Sequence, residues 1–260
     1  MIVPHLTIQG QGQPFIWLHG MLGSVESDAV YSLVNFDKVS KIASVIRYDA
    51  CGKSVTGNYK WDAMSDQLFH VAESQKYSSM IIGGTSMGSV TALHFAVRYP
   101  ERVKALILVT PPPAWEKRAG VKAVYKKIAS RADQNNFPEF LKRLIVLYPD
   151  PPDFFEQEHP GTRQRLTDYR LGFHPPYYSQ IYNGGAASDL PPREQLAKIK
   201  LPTLMAAFPD DANHPLEIAQ ELNSLIDGSE LVVVSNYEEY LKFQERVKDF
   251  ICSVVVDNKL

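Results

Sequence analysis

Met80-Ile81-Ile82-Gly83-Gly84-Thr85-Ser86-Met87-Gly88-Ser89-Val90 is the stretch on which the reading of this chain turns. Met80 to Ile82 is an apolar run of strand length. Glycines follow at 83, 84 and 88, and a helical pattern then begins. Ser86 is the centre of Gly84-Thr85-Ser86-Met87-Gly88, a G-x-S-x-G spacing between a strand and a helix. A sharp strand-to-helix turn forces its serine into a strained backbone conformation, and side chains two positions to either side would clash. The turn lifts the hydroxyl out of the sheet, and the helix N-terminus beneath it favours negative charge. The stretch therefore predicts a nucleophile elbow. The plainer alternative is a Gly/Ser-rich β–α turn that only packs closely.

On either side, apolar runs alternate with helical patterns. Val3 to Gln9 is a candidate strand, and Phe15 to Leu18 a second, ending at His19-Gly20-Met21-Leu22-Gly23-Ser24. That loop suits backbone N–H groups aimed at a ligand, or else it is a plain loop with a packed histidine. Val30 to Phe36 reads as helix and Ala43 to Tyr48 as strand. The strand runs into Asp49-Ala50-Cys51-Gly52-Lys53-Ser54, where Cys51 lacks an elbow of its own and reads as loop or core packing. Ala63 to Ser74 places Met64, Leu68, Val71 and Ala72 on one helical face. Ser89 to Tyr99 is helical and carries His94, read as a packing residue; Val103 to Val109 is a further strand. Strands made of apolar runs, alternating with helices, predict an α/β fold with a mostly parallel, doubly wound sheet covered on both faces.

The alternation stops at Pro111-Pro112-Pro113. From there to about Lys200 lie most of the prolines and many tyrosines: Tyr125, Tyr148, Tyr169, Tyr177, Tyr178 and Tyr182. Helices are expected over Trp115–Arg131, Pro138–Leu147, Thr162–Gly172 and Glu194–Ile199, with no strand. The expected organisation is a core of residues 1–110 and 201–260, with 111–200 inserted as a helical lid. The first lid helix carries Lys117, Arg118, Lys122, Lys126, Lys127 and Arg131, which reads as a solvated face or as a docking patch for an acidic partner or anionic substrate. After Pro202, Thr203 to Phe208 is a strand and Pro209-Asp210-Asp211-Ala212-Asn213-His214-Pro215 its loop. Leu216–Ile226 is a helix, Glu230–Val234 the last strand, and Glu239–Val255 the last helix.

The chain has 260 residues and a formal net charge of −2. That length accommodates one large α/β core or a core with an insertion. The charge predicts no bulk attraction to nucleic acid or anionic membrane. Two distant cysteines, Cys51 and Cys252, make no disulfide framework. No apolar run approaches the ~18–20 residues that span a bilayer, and the first residues lack a signal-peptide pattern. A cytoplasmic location is the expectation.

A serine hydroxyl needs a base, an orienting acid and donors for an oxyanion. In an open α/β sheet these come from loops at the carboxyl ends of different strands. His19-Gly20-Met21, the Ser86 turn and Asp210-Asp211 all occupy such loops. Together with Tyr99-Pro100-Glu101-Arg102-Val103 and Leu201-Pro202-Thr203-Leu204, they make the chain resemble the α/β-hydrolase superfamily. The resemblance covers nearly the whole chain and lies closest to the lid-bearing branch of esterases, enol-lactonases and proline iminopeptidases. It implies Ser86 as nucleophile and the backbone N–H groups of Met21 and Met87 as oxyanion hole. It implies Asp211 as the acid, because Pro215 follows it by four residues, with Asp210 the weaker candidate. It implies no metal or organic cofactor, a lid over an apolar pocket, and an apolar or amphipathic ester, lactone or thioester as ligand.

One implied residue is missing. The family's base is a histidine in the loop after the last strand, and here that loop reads Ser235-Asn236-Tyr237-Glu238-Glu239. His214 is the last histidine in the chain. Three readings stand. Another histidine substitutes, with His214 on the acid's own loop ahead of His174. Alternatively, the triad is incomplete and the chain binds a small apolar ligand or a protein partner without turnover. Or Ser86 retains slow chemistry, polarised by the turn or by water and Asp211. Glu238 and Glu239, near the missing position, read as solvated helix-start charges.

Overall fold

A computed structural model describes residues 5–50, 57–132, 134, 136–147 and 149–257. Cys51, with Gly52, Lys53 and Ser54 of its predicted loop, and Tyr148 lie outside the described residues. In chain order the elements are β1 (Leu6–Gln9), β2 (Pro14–Leu18), α1 (Val25–Val30), α2 (Phe36–Val39), β3 (Ser44–Tyr48), α3 (Trp61–Ser74), β4 (Met80–Thr85), α4 (Met87–Arg98) and β5 (Val103–Val109). Then come α5 (Arg118–Ala129), α6 (Phe137–Leu147), α7 (Asp153–Glu158), α8 (Thr162–Leu171), α9 (Pro175–Ala186) and α10 (Arg193–Leu196). The chain closes with β6 (Thr203–Ala207), α11 (Leu216–Leu225), β7 (Ser229–Val233) and α12 (Tyr237–Asp257).

The strands form one seven-stranded sheet in the order β1-β3-β2-β4-β5-β6-β7. Only β1 is antiparallel, against β3. Strand residues alternate between two cores. Ile16, Ile46, Ile82, Leu106 and Leu108 face the side of α3 and α4, while Phe15, Trp17, Ile81, Ile107 and Leu204 face the side of α12. Burial on both faces is why these strands read as apolar runs rather than as alternators.

Register positions the site. Leu18 pairs with Gly84, Gly84 with Leu108, and Leu108 with Met205. The carboxyl ends of β2, β4, β5 and β6 therefore finish at one level, and the loops that follow them open on one edge. β3 and β4 lie on opposite sides of β2, so the chain changes direction beside β4, where open α/β sheets form their binding crevice.

Three expectations change. Val30 to Phe36 is not a helix: α1 ends at Val30 and α2 begins at Phe36. Side-chain caps place both starts. Ser24 accepts from the N–H of Glu26 and Ser27, and Asn35 accepts from that of Lys38. Helices α7 and α9 add to those expected between β5 and β6. In α9, Pro175 and Pro176 look like breakers but sit in the first turn, where a missing N–H costs nothing. Gly184 and Gly185 lower its helix propensity by about 1 kcal/mol each, which burial of Tyr177, Tyr178 and Ile181 outweighs. Gly184 is also required by contact, because a Cβ there would lie 2.5 Å from the Tyr59 backbone. Finally, Arg118 does not belong to a surface patch.

Arg118 is 1 % exposed. Its guanidinium donates to the carbonyls of Ser188 at 3.2 Å, Pro113 at 3.4 Å and Gly185 at 2.6 Å, and lies 4.1 Å from the Trp61 ring centroid. It ties the start of α5 to the end of α9. Lys117 and Lys122 pair with Glu217 and Asp189, while Lys126 and Lys127 are exposed. The basic run is thus divided between an internal brace, ion pairs and solvated lysines.

Candidate active site

Ser86 is the residue between β4 and α4, with φ 50° and ψ −113°. Left-handed φ in a residue with a Cβ is strained and persists only where surrounding contacts enforce it. The enforcing contacts are backbone against backbone. A Cβ on Gly84 would lie 2.4 Å from the Gly88 carbonyl carbon, and one on Gly88 would lie 2.1 Å from the Leu18 carbonyl oxygen. The G-x-S-x-G spacing therefore has a steric cause in this structure. Ser86 N–H donates to the Val109 carbonyl at 2.9 Å, which fixes the turn to the end of β5.

The loop after β6 reaches across the end of β5 to this serine. His214 Nε2 accepts from Ser86 Oγ at 2.8 Å, and His214 Nδ1 donates to Asp211 Oδ2 at 2.7 Å. A carboxylate can only accept, so Asp211 assigns the ring proton to Nδ1 and leaves Nε2 as the acceptor. Asp211 Oδ1 also accepts from the backbone N–H of Asn213 at 2.8 Å and of His214 at 3.1 Å. Burial pushes the Asp211 carboxyl up, but the His214 ring and these backbone donors outweigh it and hold the group below the usual carboxylate range. Both side chains are about one-fifth exposed.

The other predicted residues fall into place around this line. Met21 and Gly20 border the cavity beside Ser86. The backbone N–H groups of Met21 and of Met87, the first residue of α4, donate to no acceptor among the described residues. Asp210 lines the cavity and is exposed, and the imidazole is held by Asp211 instead. His19 resolves as the packed histidine: it is 3 % exposed, its Nδ1 donates to the Gly20 carbonyl at 2.7 Å, and its Nε2 accepts from Ala50 N–H at 2.9 Å. His94 bonds the Asp189 carbonyl at 2.9 Å. His174 occupies the N-cap position of α9 without a side-chain bond to it, is exposed, and does not line the cavity beside Ser86. Glu239 accepts from Ser235 N–H and Oγ at the start of α12. Only three residues, Val234, Ser235 and Asn236, separate β7 from α12, and none carries an imidazole.

Above the serine is a cavity of about 900 Å³. Its floor is the Ser86 turn and the loop after β2. Val121, Tyr125, Leu144 and Tyr182, from the helices between β5 and β6, form an apolar wall. Among the described residues there is no cluster of His, Cys, Asp and Glu that could hold a metal ion, and no helix long and apolar enough to cross a membrane.

The family profile described as "alpha/beta hydrolase fold" matches residues 13–245. The chain belongs to the α/β-hydrolase fold family. Among the relatives of this α/β hydrolase is the AB hydrolase superfamily protein YisY of Bacillus subtilis (strain 168), 30% identical over 203 residues, which are 74% of each chain. An esterase from Thermogutta terrifontis superposes with a TM-score of 0.81 at 21% identity, covering 97% of this chain and 92% of that one. The enol-lactonase from Burkholderia xenovorans LB400 also gives 0.81, at 20% identity, covering 95% and 96%. Those two likenesses establish the fold, and the chemistry must be argued from the residues above.

Proposed function

We propose that this α/β hydrolase is a serine hydrolase that cleaves a carboxyl ester, lactone or thioester through an acyl-Ser86 intermediate. The observation that carries the reading is the continuous hydrogen-bonded line from Ser86 Oγ through His214 to Asp211, at 2.8 and 2.7 Å. His214 Nε2 takes the proton from Ser86 Oγ as the oxygen attacks the substrate carbonyl. The N–H groups of Met21 and Met87 stabilise the oxyanion of the tetrahedral intermediate. The imidazolium then protonates the leaving oxygen or sulfur as the acyl–heteroatom bond breaks. Water, deprotonated by the same imidazole, attacks the acyl-serine; the acyl–Oγ bond breaks, the acid is released, and the imidazolium returns its proton to Ser86 Oγ. Asp211 fixes the tautomer and stabilises the imidazolium between the two halves.

The acid and base come from one loop, three residues apart, instead of from the loops after two different strands. This supports turnover over the alternative of a degenerate binding protein, because the imidazole missing after β7 is replaced in space. The helices over the cavity act as its lid and select the acyl or leaving group by apolar contact. The test is covalent labelling with an activated organophosphonate, read by intact mass, alongside hydrolysis of short p-nitrophenyl esters. A single adduct on Ser86, absent in Ser86→Ala, is expected. No adduct together with no ester hydrolysis leaves the binding-protein reading in its place.

A further inference from the structure

Thr110, the residue that follows β5, holds a backbone conformation that its own sequence disfavours. Its φ is 45°. A β-branched residue at positive φ is an outlier, and the residue before a proline, here Pro111, is pushed towards extended φ. Among the described residues at positive φ, Thr110 is the only β-branched one. A conformation disfavoured on two counts persists only where the surroundings over-determine it. Those surroundings are the two segments whose side chains meet at Ser86 Oγ. Thr110 N–H donates to the Ala206 carbonyl of β6 at 2.8 Å. The Val109 carbonyl, in the same peptide plane, accepts from Ser86 N–H at 2.9 Å. That plane is rigid. It is the end rung between the serine turn and the strand whose loop carries Asp211 and His214.

The Thr110 side chain holds the rung from a third direction. Its Oγ1 lies 3.1 Å from Thr85 Oγ1, in a hydrogen bond between the two hydroxyls. Thr85 ends β4, and its methyl group faces the loop after β2: a Cβ on Gly20 would lie 3.4 Å from Thr85 Cγ2 and 3.6 Å from Ser86 Cβ. Thr85 thus stands between Gly20 and Thr110. Thr110 is buried, and both threonines line the cavity with Ser86. Relaxing φ at Thr110 would rotate the Val109–Thr110 plane, and both of its backbone bonds would turn with it. The hydroxyl pair opposes that rotation, because Oγ1 stays on Thr85 only while the Thr110 Cα–Cβ bond keeps its direction.

We propose that Thr110 is a positioning residue, whose hydroxyl, held by Thr85, sets the end rung of the sheet so that Ser86 Oγ meets His214 Nε2. The consequence for rate rests on the serine-hydrolase reading; the placement of the bond does not.

The direct readout is the Ser86–His214 bond in the resting protein. The His214 ring-nitrogen shifts are measured in long-range 1H–15N spectra at alkaline pH, with Ser86→Ala giving the ring without the bond. Thr110→Val keeps the side-chain shape and loses the hydroxyl, and its Nε2 shift is expected to move most of the way to the Ser86→Ala value. Thr110→Ser keeps the hydroxyl and the wild-type shift. Hydrolysis of p-nitrophenyl esters follows the same order: about 10–100-fold slower in Thr110→Val, the scale of a misplacement of under ~1 Å, and at the wild-type rate in Thr110→Ser. Thr85→Val removes the same bond from a residue without positive φ and gives the same loss. Combining Thr85→Val with Thr110→Val costs no more than either alone. If Thr110→Val does not fold, Thr85→Val decides. A wild-type Nε2 shift in either valine variant overturns the proposal, as does a loss that Thr110→Ser shares, or losses that add in the double variant. A wild-type protein that hydrolyses no ester and takes no phosphonate, yet shows these shift changes, overturns the hydrolase reading and leaves the positioning role standing.

Discussion

Replacing His214 with alanine removes both the acceptor 2.8 Å from Ser86 Oγ and the donor 2.7 Å from Asp211. The size of the effect depends on whether another group can take over. His19 has both nitrogens committed, to Gly20 and Ala50, and His94 is bonded to Asp189. His174 is exposed at the start of α9. Since none of these is placed to substitute, the proposed role of His214 as base predicts the full cost of losing a triad histidine, roughly 10⁴–10⁶ in kcat. That corresponds to about 5–8 kcal/mol of barrier. Folding should change much less. Asp211 keeps its two backbone donors and is partly exposed, so the loss of stability is about 1–2 kcal/mol at most. The assay is initial-rate hydrolysis of p-nitrophenyl butyrate and phosphonate labelling of Ser86, with thermal unfolding as the control. A folded His214→Ala protein that labels at the wild-type rate, or keeps kcat within tenfold, would refute the assignment of His214 as base.

Gly84→Ala and Gly88→Ala each force a Cβ into backbone and should cost roughly 1–3 kcal/mol or more by urea unfolding; wild-type midpoints would show that the turn has other room. Arg118→Met should leave three carbonyls short of a donor and cost about 2–3 kcal/mol, with Arg118→Lys unable to restore the planar three-way contact; equal stability of all three proteins would contradict the brace. Asp211 has a folded-state pKa below its unfolded one, so its stabilisation is present above the unfolded value and is lost as pH falls through the folded value. Asp211→Asn should therefore flatten the stability profile on the acid side, below about pH 4, while an unchanged acid limb would show that other carboxylates govern it.

The parts of the site that were legible in the sequence are the local ones. Gly84, Ser86 and Gly88 are close in the chain, and their constraint is a clash within one turn, so spacing alone reveals it. The strands were legible because burial on both faces leaves an apolar run. Helix α9 was not, because its prolines and glycines are tolerated only through its first-turn geometry and its packing on Tyr59. Arg118 looked like one cation in a row of them, and only the carbonyls supplied by Ser188, Pro113 and Gly185 turn it inward.

The proposed base is the sharpest case. By sequence the chain presents a well-formed serine turn, an acid, and a loop after β7 with no histidine. His214 is visible there, but the direction of its ring is not. That direction depends on β6 lying two strands from β4 in the sheet, on register that ends those strands level, and on Asp211 holding Nδ1 from the same loop. Local sterics made the serine turn readable in one dimension; the imidazole that bonds Ser86 Oγ is placed only once three strands are side by side.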